Sequence, residues 1–309
     1  MDLIFILLIA LALDSALGEP PNVWHPVAWL GKLISWETKV APKNSNTKQL
    51  TYGISICLIT AAVIVLPIYF LPAYLKETNP VIHILLAGLL LKFTFSLRGL
   101  RQAANRVREL LARDELVKAR VCLTCLVSRN TATLNRSQVI SATVESAAEN
   151  ICDSFVAPIF YFLLFGLPGA VAFRVVNTFD AMIGYHGESE YLGKFAARLD
   201  DMANFLPARI TALLLVLASW ICKKNMSHAW HIMVRDHGKT ESPNAGWPMS
   251  AIAGALGVQL EKAEHYKLGN NHSPLSLDTI DSSQQMVLVV AIFWSLLSVL
   301  TGVIYFAAT

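Results

Sequence analysis

Four apolar runs, each long enough to be read as a membrane span, dominate the sequence. They cover residues 1–17, 53–74, 81–97 and 286–306. An α-helix crosses the hydrocarbon core of a bilayer with about 20 apolar residues, at about 1.5 Å of rise per residue. The first run lacks the basic start and small-residue cleavage site of a secretory signal, so we interpret it as a retained helix. The chain is therefore predicted to be an all-α, polytopic integral membrane protein.

The composition of the whole chain agrees with this class. Hydrophobic residues make up 54% of the 309 positions and charged residues 15%, and the mean hydropathy is +0.49. Such a chain is too apolar for an ordinary soluble protein. The net charge of +3 is small and argues against a nucleic-acid-binding surface. The five cysteines are interpreted as packing residues in a reducing compartment.

Two further apolar runs, 155–173 and 205–222, have a doubtful relation to the membrane. The first contains Pro158, Gly166 and Pro168, which favour a broken or re-entrant helix over a straight span. If the polar regions around both runs share one side of the membrane, both runs cross or neither does. We expect that neither crosses, because the polar clusters then stay together.

A basic, amphipathic pattern between residues 98 and 120 predicts a helix on the cytoplasmic side, by the positive-inside rule. The sequence thus predicts a single membrane domain over residues 1–309. Its parts are a three-span segment (1–97), a cytoplasm-facing catalytic region (98–284) and a C-terminal span (285–307).

The polar stretch 126–153 is the most unusual part of this apolar chain. It reads as a helix from Ser137, a plausible N-cap, and it places Glu145, Glu149 and Asp153 at i, i+4 and i+8. Like charges one turn apart disfavour a helix unless something positive meets them. The alternatives are a divalent cation, the arginines at 129 and 136, a cationic substrate, or simply a solvated face without a ligand.

Other polar residues are unusual because of where they stand. Asp14 lies in the first apolar run, where an unpaired charge is costly. Glu19 and His25 follow it near the expected membrane interface. Asp200 and Asp201, close to arginines, indicate either an ion-pair network or a metal and phosphate site.

Small residues recur in the segment 242–258, which includes Gly246, Gly254 and Gly257. Glycines allow close backbone approach, either to a ligand phosphate or to a packed helix. The segment matches neither a P-loop nor a dinucleotide-binding fingerprint.

Taken together, these motifs resemble the adenosylcobinamide-phosphate synthase family of cobalamin biosynthesis, the CobD/CbiB type. The matching segments are GEPPNVWHPVAWLGKLI, VSRNTATL, VESAAENICDSFVAPIFY, FRVVNTFDAMIGY, AARLDDMANFLPARITA and ESPNAGWPMSAIAGALGVQLEKAEHYKLG. They follow one another in order over most of the chain between residues 14 and 269. Their conjunction is specific, although no single one is.

The resemblance implies a membrane ligase that joins (R)-1-amino-2-propanol, or its O-phosphate, to a propionate carboxylate of adenosylcobyric acid. Amide formation from a free acid is uphill, so ATP with Mg is expected to activate the carboxylate as an acyl phosphate. The implied location is the cell (inner) membrane with a cytoplasmic active site. The bilayer is an expected partner, and the resemblance leaves room for other membrane enzymes of the corrinoid pathway.

The expected site residues fall into three groups. The catalytic group is Glu145, Glu149, Arg129 and Arg209. The substrate-binding group is Asp14, Glu19, His25, Asn150, Asn177, Asn204, Asn244 and Gly246. The metal-binding group is Asp153, Asp180, Asp200 and Asp201. Asn130 departs from the family pattern, where an aspartate is expected, and the loop 186–194 matches loosely.

Two other classes of function remain open on the residues alone. A transporter would use Asp14 and the broken helix to line a pathway, but the charges gather outside the spans and no inverted repeat is evident. A non-catalytic membrane scaffold for corrinoid would need none of the carboxylates. A metalloprotease is disfavoured because the chain has no HExxH motif.

Overall fold

The computed structural model describes residues 1–42, 45–184 and 190–308, and it confirms the all-α class. The helices are α1 (Asp2–Leu17), α2 (Pro26–Lys39), α3 (Asn46–Thr78), α4 (Pro80–Lys92), α5 (Leu97–Ala112), α6 (Leu116–Leu123), α7 (Arg136–Ile151), a π-helix (Cys152–Val156), α8 (Ala157–Ile183), α9 (Glu190–Ile221), α10 (Met226–Asp236), a 3₁₀ helix (His237–Lys239), α11 (Gly246–Leu256) and α12 (Leu277–Ala308). Strands β1 (Gln259–Lys262) and β2 (Tyr266–Gly269) form one antiparallel hairpin. Residues 186–189 of the loosely matched loop, and Tyr185 of a matching motif, lie outside the described residues.

The chain divides into two compact units. Unit 1 comprises Met1–Ser96, Ala157–Ala203 and Ser298–Thr309, and unit 2 comprises Leu97–Val156 and Asn204–Leu297. The boundary after residue 96 falls where the sequence changes from apolar spans to a basic helix.

Five helical segments of the described chain are long and apolar enough to cross a membrane, so the protein is polytopic. They are Asn46–Thr78, Pro80–Ala112, Arg136–Ile183, Glu190–Ile221 and Leu277–Ile304. Both runs that the sequence left doubtful lie in this set, by length and composition. The helix α1 does not, because its 16 residues extend only about 24 Å at 1.5 Å per residue. That residues 1–17 form a membrane span therefore stays a prediction.

The surface of α3 shows what these helices face. Of the 18 most apolar consecutive residues of α3, only 17% are buried within the protein. Ile59, Val63 and Phe70 are all exposed on it. A continuous apolar helix surface of this kind is stable against lipid tails and not against water.

The prediction of a broken helix in 155–173 is confirmed at Gly166. Its backbone has φ +66° and ψ −162°, which lies outside the helical region, and Pro168 follows two residues later. A positive φ is readily accessible only to glycine, and the proline removes a backbone donor, so the two residues together account for the kink.

The predicted amphipathic helix after residue 97 is α5. Its buried positions follow the 3.6-residue period expected from the sequence, and they are Leu100, Ala104, Val107, Leu110 and Leu111. Within unit 2, Arg108 on the polar side forms a bidentate ion pair with Asp281 of α12, with nitrogen-to-oxygen distances of 3.0 and 2.8 Å. The pair ties α5 to α12.

The start of α7 differs from the prediction of Ser137 as N-cap. Asn135 is the N-cap: its side chain accepts from the backbone N–H of Gln138, and the Gln138 side chain accepts from the backbone N–H of Asn135, both at 2.9 Å. This reciprocal capping box satisfies two backbone donors, whereas a serine cap at 137 would satisfy one.

The small residues of 242–258 serve helix packing, which was one of the two predicted alternatives. A Cβ added at Gly254 of α11 would lie 2.8 Å from the backbone oxygen of His228 and 2.7 Å from Cβ of Ile232, both on α10. The backbones of α10 and α11 therefore approach each other closely at Gly254.

Replacing Gly254 by alanine is expected to destabilise unit 2 by about 1–3 kcal/mol, because the new methyl group meets backbone that cannot move aside. The thermal unfolding temperature (Tm) of the protein in detergent measures this loss. Gly238→Ala is the matched control, since nothing lies within 4 Å of a Cβ added there. An unchanged Tm for Gly254→Ala would contradict the packing.

Candidate active site

In unit 1, the first polar cluster forms around Glu19, in the segment between α1 and α2. Its carboxylate accepts from Lys92 Nζ at 2.7 Å and from His25 Nε2 at 2.5 Å. His25 Nδ1 accepts the backbone N–H of Val27 at 3.2 Å, so in neutral His25 the proton is on Nε2. Burial alone would raise the pKa of Glu19, but hydrogen bonds from His25, Lys92 and Ser96 outweigh it and hold the pKa at about 2.

Asp14 belongs to the same cluster. Its carboxylate lies 3.9 Å from the ammonium of Lys92, and both side chains are buried. Asp14, an ionisable residue within an apolar run, is thus close to an opposite charge, as expected for a buried charge near the membrane.

A second series of polar contacts in unit 1 joins the segment after α4 to α8 and α9. Arg174 donates through Nε to the backbone oxygen of Thr94 at 2.7 Å and through Nη1 to Oδ1 of Asn177 at 3.0 Å. Asn177 donates in turn to Oδ1 of Asp200 at 3.2 Å. Because Thr94 lies only two residues from Lys92, this series of contacts adjoins the Glu19 cluster within unit 1.

The other expected aspartates of unit 1 lie near these contacts along their helices. Asp180 lies one turn beyond Asn177 on α8, and Asp201 follows Asp200 on α9. Unit 1 therefore holds seven of the expected site residues: Asp14, Glu19, His25, Asn177, Asp180, Asp200 and Asp201.

In unit 2, a buried carboxylate organises the site. Glu145 of α7 is only 4% exposed. Its Oε1 accepts from the hydroxyl of Ser141 at 2.6 Å, and its Oε2 accepts from Arg129 Nη2 at 3.2 Å and from the hydroxyl of Tyr266 at 3.0 Å. Three donors, from α7, the preceding loop and β2, thus form hydrogen bonds to one carboxylate. Arg129 and Glu145 were expected catalytic residues and are in contact.

The other two carboxylates of the predicted row follow Glu145 along the chain. Glu149 follows Glu145 on the same side of α7 and is half-buried. Its charge is close enough to raise the pKa of the Tyr266 hydroxyl, after the larger effects of burial and of Glu145. Asp153 lies in the π-helix that directly follows α7.

Two expected asparagines of unit 2 have structural contacts. Asn150 donates to the backbone oxygen and the hydroxyl of Ser146, one turn earlier, at 2.9 Å in each case. Asn204 is buried and accepts a weak hydrogen bond from the thiol of Cys152 at 3.8 Å.

Arg209, another expected catalytic residue, lies in an aromatic setting. Its guanidinium donates to Oδ1 of Asn244 at 3.0 Å, and its central carbon is 3.7 Å from the ring centre of Phe205 and 4.9 Å from that of Trp247. The ring of His237 also packs on Trp247, with centroids 4.0 Å apart. Aromatic faces and an amide oxygen therefore hold this cation at the start of α11.

Gly246 is the first residue of α11. A Cβ there would lie 2.0 Å from the backbone oxygen of His237. Close packing against that carbonyl is sufficient reason for glycine at this position, and its expected contact with substrate stays a prediction.

The described part of the chain contains no group of three or more His, Cys, Asp or Glu side chains arranged to hold a metal ion. Asp153 belongs to unit 2, and the other three expected ligands belong to unit 1. Mg²⁺ in phosphoryl-transfer sites typically takes only one or two carboxylates, with water and substrate phosphate completing its coordination. The Asp200 and Asp201 pair is a donor set of that size.

Behind the hairpin, Asp236 forms a buried ion-pair network that sequence reasoning missed. Its carboxylate accepts from Arg235 at 2.7 Å, from Lys239 at 2.6 Å and from the backbone N–H of Gly269 at 2.8 Å. Burial alone would raise the pKa of Asp236, but these three donors outweigh it and hold the pKa at about 2. The network fixes the end of β2 to α10.

Other contributing residues were also missed. Lys92 had a usable signal, because it is a lysine within an apolar run. Ser141, Arg174 and Tyr266 had none beyond lying in or beside the matching segments, because their partners are side chains or backbone brought close by folding.

Several membrane-spanning helices together with buried, paired charges in both units define the class of protein: an integral membrane protein with polar sites of the kind used for recognition or chemistry. The family model described as CobD/Cbib protein matches residues 7–295. The chain therefore belongs to the CobD/Cbib family.

Named relatives agree with this assignment. The chain is 48% identical over 307 residues, 99% of both chains, to the cobalamin biosynthesis protein CobD of Dehalococcoides mccartyi. It is 42% identical over 271 residues to the probable cobalamin biosynthesis protein CobD of Methanothermobacter thermautotrophicus, covering 87% of this chain and 88% of that one. No solved structure matches the chain.

The Asp236 network generates a pH prediction. Because the pKa in the folded protein is about 2, below the ordinary value of 3.8, the ionised carboxylate stabilises the fold above about pH 4. This contribution, roughly 2 kcal/mol at about 1.4 kcal/mol per pKa unit, is lost as the pH falls from about 4 to about 2.

The fall in Tm between pH 7 and pH 3 measures the effect in detergent. We expect a clearly smaller fall for Asp236→Asn than for the wild-type protein, and an unaltered fall for Asp278→Asn, which changes an exposed aspartate. Equal falls for Asp236→Asn and wild type would show that the network does not hold the carboxylate in its charged form.

Proposed function

We propose that the protein acts in cobalamin biosynthesis as an ATP-dependent ligase. It would join (R)-1-amino-2-propanol, or its O-phosphate, to a propionate carboxylate of adenosylcobyric acid. The observation that carries this proposal is the family match over residues 7–295, together with relatives named as cobalamin biosynthesis proteins along nearly their whole length.

The proposed reaction has two steps. In the first, an oxygen of the corrinoid carboxylate attacks the γ-phosphorus of ATP, and ADP leaves with the electrons of the broken P–O bond. In the second, the amine nitrogen, having lost a proton, attacks the acyl carbon, and inorganic phosphate leaves with the carboxylate oxygen. The site must therefore hold phosphate, neutralise charge on the transferred phosphoryl group and accept a proton.

Two arginines of unit 2 suit the phosphate role. Arg129 uses Nη2 to pair with Glu145, while its Nε is buried and has no hydrogen-bond partner among the described residues. A buried donor without a partner is costly, and a phosphate oxygen would satisfy it. Arg209 is held by Asn244 and two aromatic rings beside the start of α11, and its guanidinium can bind phosphate oxygens.

Glu149 is proposed to clamp the substrate ammonium and take its proton. It is half-buried, one turn from the paired Glu145, and its charge acts on the Tyr266 hydroxyl. Glu145 itself accepts hydrogen bonds from three donors, which suits it to holding Arg129 and Tyr266 in place.

The residues of unit 1 suit recognition of a polar substrate. Asp14 and Glu19 provide carboxylates, Lys92 provides an ammonium group and Asn177 provides an amide. The carboxylates match the ammonium of an aminopropanol, and the amide matches the amides of a corrinoid. Asp200 and Asp201 would hold Mg²⁺, with Asp180 of the same unit as a further proposed ligand. When bound, Mg²⁺ neutralises charge on the nucleotide phosphates.

The proposed location is the cell (inner) membrane, with the active site on the cytoplasmic side. The support is α5, whose polar face carries basic residues beside a predicted span, as the positive-inside rule requires. Other membrane enzymes of the corrinoid pathway are proposed partners only in the sense that they would handle the same substrate.

Detergent-purified protein supplied with adenosylcobyric acid, Mg-ATP and either amine tests the proposal. We expect ADP release that requires both the acid and the amine, and a corrinoid whose mass rises by that of the amine less water. Folded protein that binds corrinoid but forms no product with either amine would instead support a carrier or scaffold.

In the same assay, Glu149→Gln is expected to lower the turnover rate by at least about 100-fold, because the general base is lost. The control Glu109→Gln changes an exposed carboxylate on α5 that pairs with the exposed Arg106, and it should act like wild type. Wild-type turnover by folded Glu149→Gln protein would remove Glu149 from the chemistry.

A further inference from the structure

The β-hairpin of unit 2 is too small to be stable alone. Each strand has four residues, paired from Gln259↔Gly269 to Lys262↔Tyr266. An isolated two-stranded hairpin of this size is at best marginally stable in water. Its position therefore depends on what it contacts.

Two contacts join the hairpin to α7, and both involve the same carboxylate. The hydroxyl of Ser141 accepts the backbone N–H of Glu261 in β1 at 2.8 Å and donates to Oε1 of Glu145 at 2.6 Å. The hydroxyl of Tyr266 in β2 donates to Oε2 of Glu145 at 3.0 Å. The hairpin thus orients the carboxylate through both oxygens.

The orientation of Arg129 depends on Oε2 of the same carboxylate. Its Nη2 donates at 3.2 Å to Oε2, the oxygen that Tyr266 also contacts. Arg129 lies in the loop between α6 and α7, where no helix fixes its direction. Since its only hydrogen bond among the described residues is to Glu145, the direction of its other N–H groups follows the orientation of that carboxylate.

We propose that Tyr266 is a positioning residue of the ligase: it orients Glu145 so that Arg129 presents its free donors to a phosphate of ATP. This inference rests on the proposed function and adds a residue from the hairpin to the site. Tyr266 acts through Arg129 and need not touch the nucleotide. Its loss should therefore affect the nucleotide more than the corrinoid.

The test is Tyr266→Phe, which deletes one hydroxyl and keeps the ring. We expect the KM for ATP to rise about tenfold, as for loss of an interaction with a charged group, with the KM for adenosylcobyric acid changed less than about twofold. Ser141→Ala removes the second link and should act in the same direction. The control Tyr52→Phe deletes a tyrosine hydroxyl that donates to a backbone oxygen in unit 1, at 3.0 Å, and should match wild type.

A double-mutant cycle with Arg129→Gln distinguishes a role of Tyr266 in orienting Arg129 from a general loss of structure in the variant. If Tyr266 acts through Arg129, adding Tyr266→Phe to Arg129→Gln causes almost no further loss, because the two single effects are coupled. Additive losses, or equal rises in the KM values for both substrates, would overturn the inference.

Binding of a non-hydrolysable ATP analogue, measured by calorimetry, makes the result independent of turnover. An inactive wild-type protein would defeat the proposed ligase. Even then, similarly weakened analogue binding by Tyr266→Phe and Arg129→Gln would support the positioning role, and unweakened binding by Tyr266→Phe would reject it.

Discussion

The carboxylate of Glu145 is almost completely removed from water, and such a charge costs several kcal/mol unless it is paired and fully hydrogen-bonded. Arg129, Ser141 and Tyr266 meet this requirement from three different parts of unit 2. Because each donor is needed, the loop before α7, the helix itself and the hairpin cannot be placed independently. The same requirement leaves Arg129 tethered at one nitrogen, with further donors available for an anion.

Unit 1 also contains buried charges, which are paired by a different set of residues. Its buried lysine, Lys92, lies near Asp14 and donates to Glu19, which His25 also contacts. Charges this close to membrane helices are stable only in such sets. A set with more than one carboxylate and a cation can exchange some of its internal hydrogen bonds for those of a polar substrate.

Local patterns predicted much of the fold. The buried face of α5 follows directly from its 3.6-residue period, and the kink in α8 follows from Gly166 and Pro168. The N-cap of α7 was misplaced because Ser137 is a good cap by residue type, while the capping box depends on the Asn135 and Gln138 pair. Patterns could not reveal Tyr266 as the partner of Glu145, since 121 residues separate them and only folding brings them together.

The claim tested most directly by one measurement is that phosphoryl transfer to the corrinoid carboxylate drives amide formation. Adenosylcobyric acid labelled with ¹⁸O in the reacting carboxylate would be converted with ATP and aminopropanol, and the released nucleotide and phosphate examined by mass spectrometry. The account predicts one labelled oxygen in inorganic phosphate, with ADP unlabelled, because the leaving phosphate carries the carboxylate oxygen away. Label in AMP, or phosphate without label, would contradict it.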